Sequence, residues 1–261
     1  MSASGKFEAL TRIGFAARGV IYVLIGYLAL KSGRTEDGGG VLAWLASGSG
    51  LILLALMAAG LFAYGLWRIL EAWVDSAGRG TDAKGIAARV GGAISGIVHI
   101  ALAGAAALHA IGSDGGGGGD SAEVGARTAL GLPGGGVMLI LVAALLLVTG
   151  IVQLGNAWTL GFLRHFGGSG EARRWIAWLG RAGYLARGTV FLIMAWFFWR
   201  AGSENSSSQA GGPGDALSSL PSTLQMLVAA GLVLFGLFSF AEAWFRRIDT
   251  PQPGAIGNAL R

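Results

Sequence analysis

The sequence predicts an all-α integral membrane protein, with six transmembrane helices arranged as three repeated helical hairpins in a pseudo-threefold bundle. The first observation behind this prediction is composition: 53% of the residues are hydrophobic and only 13% are charged. Soluble domains carry about 25% charged residues, so this chain belongs to the membrane class. The second observation is an internal repeat, because one pair of sequence motifs recurs three times along the chain.

Two motifs define each repeat. The opening motif is arginine- and glycine-rich and occurs as RIGFAARG (12–19), RVGGAISG (89–96) and RAGYLARG (181–188). The closing motif ends in tryptophan and occurs as YGLWRILEAW (64–73), TGIVQLGNAW (149–158) and FGLFSFAEAW (235–244). The predicted organisation is a polar N-terminal lead (1–11), repeat 1 (12–80), repeat 2 (81–170), repeat 3 (171–247) and a C-terminal tail (248–261).

Each repeat contains two stretches of the roughly 20 apolar residues that a membrane crossing needs. The predicted spans are 13–30, 51–73, 90–111, 137–158, 182–200 and 222–245. A separate short helix at the membrane surface is expected over 171–180, where two tryptophans lie beside arginines. Because two spans return the chain to its starting side, all three repeats enter the membrane in the same orientation. Parallel repeats of this kind are related by an axis along the membrane normal.

The distribution of basic residues predicts the topology. The segments on one side of the predicted membrane hold only Lys31, Arg34, Arg127 and Arg200, and the other 15 of the 19 Lys and Arg residues lie on the side of the N-terminus. The positive-inside rule then places both termini in the cytoplasm, with the chain crossing the cytoplasmic (inner) membrane several times. The lipid bilayer and other membrane proteins are the expected partners. The net charge of +5 needs no nucleic acid to explain it.

Several kinds of chemistry are excluded or unsupported. The chain has no cysteine, which excludes disulfides, iron–sulfur clusters and covalent c-type haem. It contains no nucleophile elbow, phosphate-binding loop or metalloprotease motif. We therefore expect no enzyme activity and no catalytic, cofactor-binding or metal site. His99 lies in the middle of the third span, where it is either a packed polar residue or, alternatively, a haem ligand or proton relay.

Two arginines lie inside predicted spans. At 1.5 Å per residue, Arg18 and Arg187 are each about 10 Å from the inner membrane boundary. A charge at that depth costs several kcal/mol unless it reaches the interface or is paired. These arginines are therefore the strongest candidates for a structural or functional role.

Glutamates in the closing motifs are the candidate partners of these arginines. The candidate intramembrane pairs are Arg18 with Glu71 and Arg187 with Glu242. In repeat 2 both charges are lost together, because Ser95 replaces the arginine and Asn156 the glutamate. Joint loss is what a physical pair predicts. The sequence leaves open whether the pairs form within repeats or between them.

The recurring R-x-G-x-x-A-R-G motif at 12–19 and 181–188 resembles that of a bacterial membrane protein family catalogued as domain of unknown function 1206 (DUF1206). The resemblance covers residues 8–247 and implies three units of two spans each. Repeat 2 departs from the pattern, since it lacks the second arginine and has NAW where the other repeats have EAW. The resemblance implies no reaction, substrate or cofactor.

Three functional hypotheses follow. The leading one is a non-enzymatic accessory or scaffold protein that packs against other membrane proteins, because the helices are glycine-rich and few ionisable groups lie inside the spans. The alternative is a small channel or transporter with Arg18 and Arg187 lining a cytoplasmic-side cavity. A membrane enzyme or haem protein that uses His99 is the third.

Overall fold

The chain is almost entirely helical over the residues that the structure describes. The computed structural model describes residues 3–32, 41, 44–45, 51–75, 78–111, 121–167 and 171–247. The α-helices are α1 (Ala3–Ser32), α2 (Leu51–Val74), α3 (Ala83–Ala110), α4 (Ser121–Leu130), α5 (Gly135–Thr159), α6 (Glu171–Ser203), α7 (Pro213–Ser218) and α8 (Ser222–Phe245). Short 3-10 helices cover Gly161–His165 and Ser207–Gln209. The β pairing within these ranges is a single bridge between Phe166 and Arg246.

Six of these helices are long and apolar enough to cross a membrane, namely α1, α2, α3, α5, α6 and α8. The all-α, six-span prediction is therefore confirmed, with two spans in each repeat. The span expected over 13–30 is found at Thr11–Lys31, whereas the expectation of a separate helix over 171–180 was wrong. The helix α1 begins at Ala3, so it includes most of the polar lead, and α6 runs unbroken from Glu171, so 171–180 is not a separate helix. No proline interrupts α6, and at Gly180 the lack of a side chain leaves room for the ring of Phe162 against the helix.

The six long helices are arranged in an order that links one repeat to the next. The most extensive packing is between α2 and α3, between α5 and α6, and between α8 and α1. The second long helix of each repeat thus packs on the first helix of the following repeat, and repeat 3 closes onto repeat 1. Helices of the same repeat pack less extensively, as α1 with α2 and α6 with α8. The cyclic order confirms the predicted pseudo-threefold bundle.

Glycines mark the crossing points between repeats. One glycine from each opening motif faces one from the preceding closing motif, in the pairs Gly19–Gly236, Gly96–Gly65 and Gly188–Gly150. A Cβ atom added to either Gly65 or Gly96 would lie 2.6 Å from the carbonyl oxygen of the other. Small residues at such crossings let helix backbones approach closely. The repeated glycines of the sequence therefore hold the repeats together.

We expect Gly96→Ala to destabilise the protein by about 1–3 kcal/mol, the usual effect of overpacking a close contact. Gly104→Ala is the matched control, since Gly104 lies on the same helix with no atom within 4 Å of an added Cβ. The alanine there should be neutral or slightly stabilising, because alanine favours helix more than glycine does. Thermal unfolding in a mild neutral detergent measures both. Equal unfolding midpoints for Gly96→Ala and Gly104→Ala would contradict the close packing of α2 and α3 at Gly96.

Repeat 2 differs from the other repeats because its own two long helices, α3 and α5, share no comparable interface. In repeat 1, an added Cβ on Gly14 would lie 3.0 Å from the carbonyl oxygen of Gly60 on the neighbouring helix. The equivalent of Gly14 in repeat 2 is Gly91, and a Cβ there would have no atom within 4 Å. Leu145 occupies the position equivalent to Gly60. Repeat 2 therefore has a large side chain where close packing of the two helices needs a glycine. The ring of helices is consequently open between α3 and α5.

The opening exposes apolar side chains whose equivalents are buried elsewhere. Val98 on α3 is 50% exposed, whereas its equivalents Ile21 and Val190 are 5% and 3% exposed. We call the surface formed by Gly91, Ile94 and Val98 of α3 and Leu145 of α5 the open face. It lies on the membrane-spanning part of both helices.

Candidate functional site

The first arginine of each opening motif caps the end of a helix in the preceding repeat. Arg12 donates hydrogen bonds to the carbonyl oxygens of Ala243 (2.7 Å) and Trp244 (3.0 Å) at the end of α8. Arg89 donates to the equivalent oxygens at the end of α2, and Arg181 donates to one of them, that of Ala157, at the end of α5. These carbonyls have no partner within their own helix, and a cation suits the negative end of the helix dipole. The first arginines therefore act as structural caps.

Arg18, the second arginine of repeat 1, is buried in a network of polar contacts. It forms an ion pair with Glu242 of α8. Its Nε donates to Ser239 (3.1 Å) and its Nη1 to the hydroxyl of Tyr64 (2.9 Å). The guanidinium also stacks near the rings of Phe15, Tyr64 and Phe235. Arg18 is 7% exposed and Glu242 is 1% exposed, so the charges neutralise each other inside the protein.

The predicted pairing of Arg18 with Glu71 within repeat 1 is wrong. The structure pairs Arg18 with Glu242 of repeat 3, which is the between-repeat arrangement that the sequence left open. The cause is the crossing of α1 and α8 at Gly19 and Gly236. Arg18 directly precedes Gly19, so the crossing brings it next to the closing motif of α8.

Glu71 is neutralised locally. The equivalent arginine of the next repeat is Ser95, so the between-repeat partner is missing. Glu71 instead forms ion pairs with Arg68, one helical turn earlier on α2, and with Arg79 (3.4 Å) from the segment after the helix. The i, i+3 spacing of Arg68 and Glu71 was visible in the sequence. Arg246 likewise follows Glu242 by four residues and bonds its other carboxylate oxygen at 2.5 Å.

Arg187, the second arginine of repeat 3, has no carboxylate partner in the described part of the chain, so the predicted Arg187–Glu242 pair does not form. By the between-repeat rule its partner position is Asn156, which carries no charge. Its Nε donates to the hydroxyl of Tyr22 at 2.9 Å. The guanidinium lies 4.8–5.5 Å from the ring centres of Phe191, Phe235 and Tyr22. No hydrogen bond from its terminal nitrogens to another described residue is present.

His99 is buried beside Tyr64, which belongs to the network around Arg18. Its Nδ1 lies 2.7 Å from the carbonyl oxygen of Ser95. A carbonyl can only accept, so the proton is on Nδ1 and Nε2 is the acceptor of the ring. The imidazole packs on the ring of Tyr64, with 4.6 Å between ring centres. Among the described residues, no group of three or more His, Asp or Glu side chains could hold a metal ion.

The segment between α2 and α3 is held by Asp75. Its carboxylate accepts hydrogen bonds from the backbone N–H groups of Arg79 and Gly80, both at 2.8 Å. These two bonds favour the charged form and lower the pKa of Asp75 below its usual value of 3.8. A lowered acid pKa stabilises the fold at neutral pH, and this contribution is lost as the pH falls through the folded-state pKa.

We expect Asp75→Asn to lower the melting temperature at pH 7 and to have a smaller effect at pH 3, because the stabilisation that comes from the lowered pKa of Asp75 is lost as the pH falls below 3.8. Asp82→Asn is the control, because asparagine replaces aspartate well at the start of a helix, and Asp82 bonds the N–H of Gly85 there. The measurement is the difference in melting temperature from wild type at the two pH values. If Asp75→Asn lowered the melting temperature equally at both pH values, the stabilising role of the Asp75 carboxylate charge would be refuted.

The cyclic order of the repeats and the ion pair of Arg18 with Glu242 between repeats 1 and 3 define a helical membrane protein of three two-span units. The chain belongs to the family described as Domain of Unknown Function (DUF1206), which matches it at residues 13–75, 90–160 and 182–246, once in each repeat. It is similar to the uncharacterized protein YxxB of Bacillus subtilis (strain 168), with 27% identity over 250 residues, which cover 91% of this chain and 90% of that protein. No solved structure matches the chain.

Proposed function

We propose that the protein is a non-enzymatic accessory or scaffold protein of the bacterial cytoplasmic membrane. The observation that carries the proposal is the internal neutralisation of Arg18 by Glu242, both of which are buried. An arginine that served an ion pathway would need contact with water or solute. Here the charge instead joins repeat 3 to repeat 1, which is a structural task. The protein thus offers other membrane proteins a rigid helical surface.

The tryptophans at the ends of the closing motifs support the proposed position in the membrane. Trp73, Trp158 and Trp244 occupy equivalent positions and are 67%, 84% and 79% exposed. Tryptophan is enriched where membrane meets water. The three first arginines lie at the same end of the bundle. With the positive-inside rule, this end faces the cytoplasm and both termini lie there.

Site-specific photocrosslinking in cells at native expression level tests the accessory role. A photoreactive amino acid replaces Trp73, Trp158 or Trp244 in turn, so that the three variants differ only in the repeat that carries the probe. A partner protein breaks the threefold equivalence, so one position should give a stoichiometric adduct with a single membrane protein, identified by mass spectrometry. Lipid adducts alone at all three positions would contradict the proposal.

A channel or transporter is the second candidate, and the observation that favours it is the uncharged partner position of Arg187. Only this arginine remains available for the role, since Arg18 is engaged with Glu242. Uptake of anions by proteoliposomes tests it. Flux that Arg187→Gln abolishes, while the exposed-site variant Arg200→Gln retains it, would support transport over the accessory role. Equal flux in protein-free vesicles would rule transport out.

A further inference from the structure

A short segment between α5 and α6 fastens repeat 2 to the end of repeat 3. We call residues 161–166 the strap, which consists of a 3-10 helix and the residue that follows it. Phe166 forms a β bridge with Arg246. The backbone N–H of Arg247 donates a hydrogen bond to the carbonyl oxygen of His165 at 2.9 Å. The strap therefore holds the residues that directly follow α8.

Two phenylalanines anchor the strap against the helices. The ring of Phe162 packs on those of Tyr184 and Phe238, with 5.1 and 5.0 Å between the ring centres. The ring of Phe166 packs on Phe238 at 5.8 Å, and both phenylalanines are buried. Gly180 leaves room for this packing, because a Cβ atom there would collide with the ring of Phe162. The strap is thus packed into the groove between α6 and α8 by aromatic contacts.

The β bridge connects the strap to the buried ion pair of Arg18. The backbone of Arg246 pairs with Phe166, while its side chain donates a hydrogen bond to one carboxylate oxygen of Glu242. The other oxygen of Glu242 accepts from Arg18. A displaced strap would therefore move one of the two arginines that neutralise Glu242, at the contact between repeats 3 and 1.

His165 is a titratable residue inside the strap. Its ring is partly buried, and its Nδ1 is enclosed by the protein without a hydrogen bond to another described residue. A neutral imidazole has one donor and one acceptor nitrogen, whereas protonation makes both nitrogens donors and adds a charge. Burying that charge costs far more than burying the neutral ring. The docked strap therefore favours neutral His165.

The charges around His165 are mostly positive. The titratable side chains on the strap, or in contact with it or with its partners, are Arg164 on the strap, Arg173 and Tyr184 on α6, and Glu242, Arg246 and Arg247 at the end of α8. Of these, only Glu242 is negative, and Arg18 and Arg246 already bind its two oxygens. Burial, followed by the charges of Arg246 and Arg164, lowers the pKa of His165 below its usual value of 6.5, while the backbone of Phe162 and the carboxylate of Glu242 oppose this change.

We propose that the strap is a pH-sensitive fastening, which protonation of His165 releases from the end of α8. With His165 neutral, Phe166 stays paired with Arg246, and Glu242 keeps both of its arginines. With His165 protonated, a further positive charge lies among arginines, and residues 161–166 leave their position so that this charge reaches water.

The sign of the pH dependence follows from linkage. The released strap binds a proton more readily than the docked strap, because the pKa of His165 is lowered only in the docked form. The docked strap is therefore fully stable above pH 6.5 and loses stability as the pH falls below that value. This inference concerns the fold itself and does not rest on the proposed function.

Hydrogen–deuterium exchange of the full-length protein in neutral detergent tests the release. The measured quantity is the protection factor of the backbone amides, which is normalised to the exchange rate of a free amide, at pH 7.5 and 5.5. We expect peptides that contain Phe166 and Arg247 to lose protection at pH 5.5 by up to about tenfold, the largest change that one histidine proton causes over this interval. Peptides from the middle of α8 should keep their protection, because core amides exchange only through larger openings. Unchanged protection of the strap would overturn the proposal.

Two variants assign the release to His165. His165→Gln cannot take up a proton in this pH range, so its strap should have the same protection at pH 7.5 and 5.5. His109→Gln is the matched control, because Nε2 of His109 is also buried without a hydrogen bond to a described residue but lies on α3. It should lose protection at pH 5.5 as the wild type does. A loss that persists in His165→Gln, or that disappears in His109→Gln, would overturn the proposal.

Discussion

Replacing Glu242 by glutamine is expected to destabilise the protein by about 3–5 kcal/mol, which is the usual effect of removing one partner from a buried ion pair. Glutamine has nearly the same shape as glutamate but leaves the charge of Arg18 uncompensated. Both side chains are buried between α1 and α8. The loss should appear as a large fall in the midpoint of thermal unfolding in neutral detergent. The ion pair of Arg18 and Glu242 joins repeat 3 to repeat 1, so its loss should destabilise more than one hairpin.

A double-mutant cycle separates this contact from the other roles of the two residues. Arg18→Gln combined with Glu242→Gln should be clearly less destabilising than the sum of the single changes, because the charge of Arg18 is then no longer left without its partner. The matched cycle pairs Arg18→Gln with Glu71→Gln. There we expect additive effects, since Glu71 bonds Arg68 and Arg79. Coupling of Arg18 to Glu71 but not to Glu242 would restore the within-repeat pairing and contradict the structure.

The sequence was sufficient to predict the number of spans and the threefold repetition. Both depend on local properties, namely the length of apolar runs and the recurrence of motifs. The joint loss of arginine and glutamate in repeat 2 led us to expect an ion pair for each of the two arginines, but only Arg18 has a carboxylate partner among the described residues. What it could not indicate was the partner. In a cyclic arrangement each arginine position has a glutamate position in its own repeat and another in the preceding one. The joint loss favours the within-repeat assignment, because between-repeat pairing leaves both Glu71 and Arg187 without their partners.

The different fates of the two arginines follow from this cyclic order. A within-repeat rule gives Arg18 and Arg187 one glutamate each and makes them equivalent. The between-repeat rule gives Glu242 to Arg18 and only the uncharged Asn156 to Arg187, which in the structure contacts Tyr22. Only the three-dimensional order of the helices distinguishes the two rules. The sequence therefore identified the right residues but could not show that the charge left over belongs to repeat 3.

The opening in the ring was also present in the sequence but could not be interpreted there. Leu145 stands where repeats 1 and 3 have Gly60 and Gly231, and Ile94 stands where they have Ala17 and Ala186. Apolar substitutions of this kind are ordinary in a membrane helix. They become informative once the structure shows that these small residues lie at the crossing of the two helices in repeats 1 and 3.

Gly14 and Gly91 are equivalent in the repeat, yet the same substitution should have opposite effects at the two sites. Gly14→Ala would place a Cβ against the Cβ of Tyr64 and 3.0 Å from the carbonyl oxygen of Gly60. Because these are backbone and near-backbone atoms, they cannot move away cheaply, and we expect a loss of about 1–3 kcal/mol. Gly91→Ala adds its Cβ to open space, and we expect a gain of up to about 1 kcal/mol from helix propensity.

The comparison tests the open ring directly, since each variant controls for the other. Thermal unfolding of both variants in the same neutral detergent gives the sign of each effect. If α5 closed onto α3 in the folded protein as α2 closes onto α1, Gly91→Ala would be as damaging as Gly14→Ala, and the open face would not exist. Opposite signs would show that repeat 2 keeps its two helices apart.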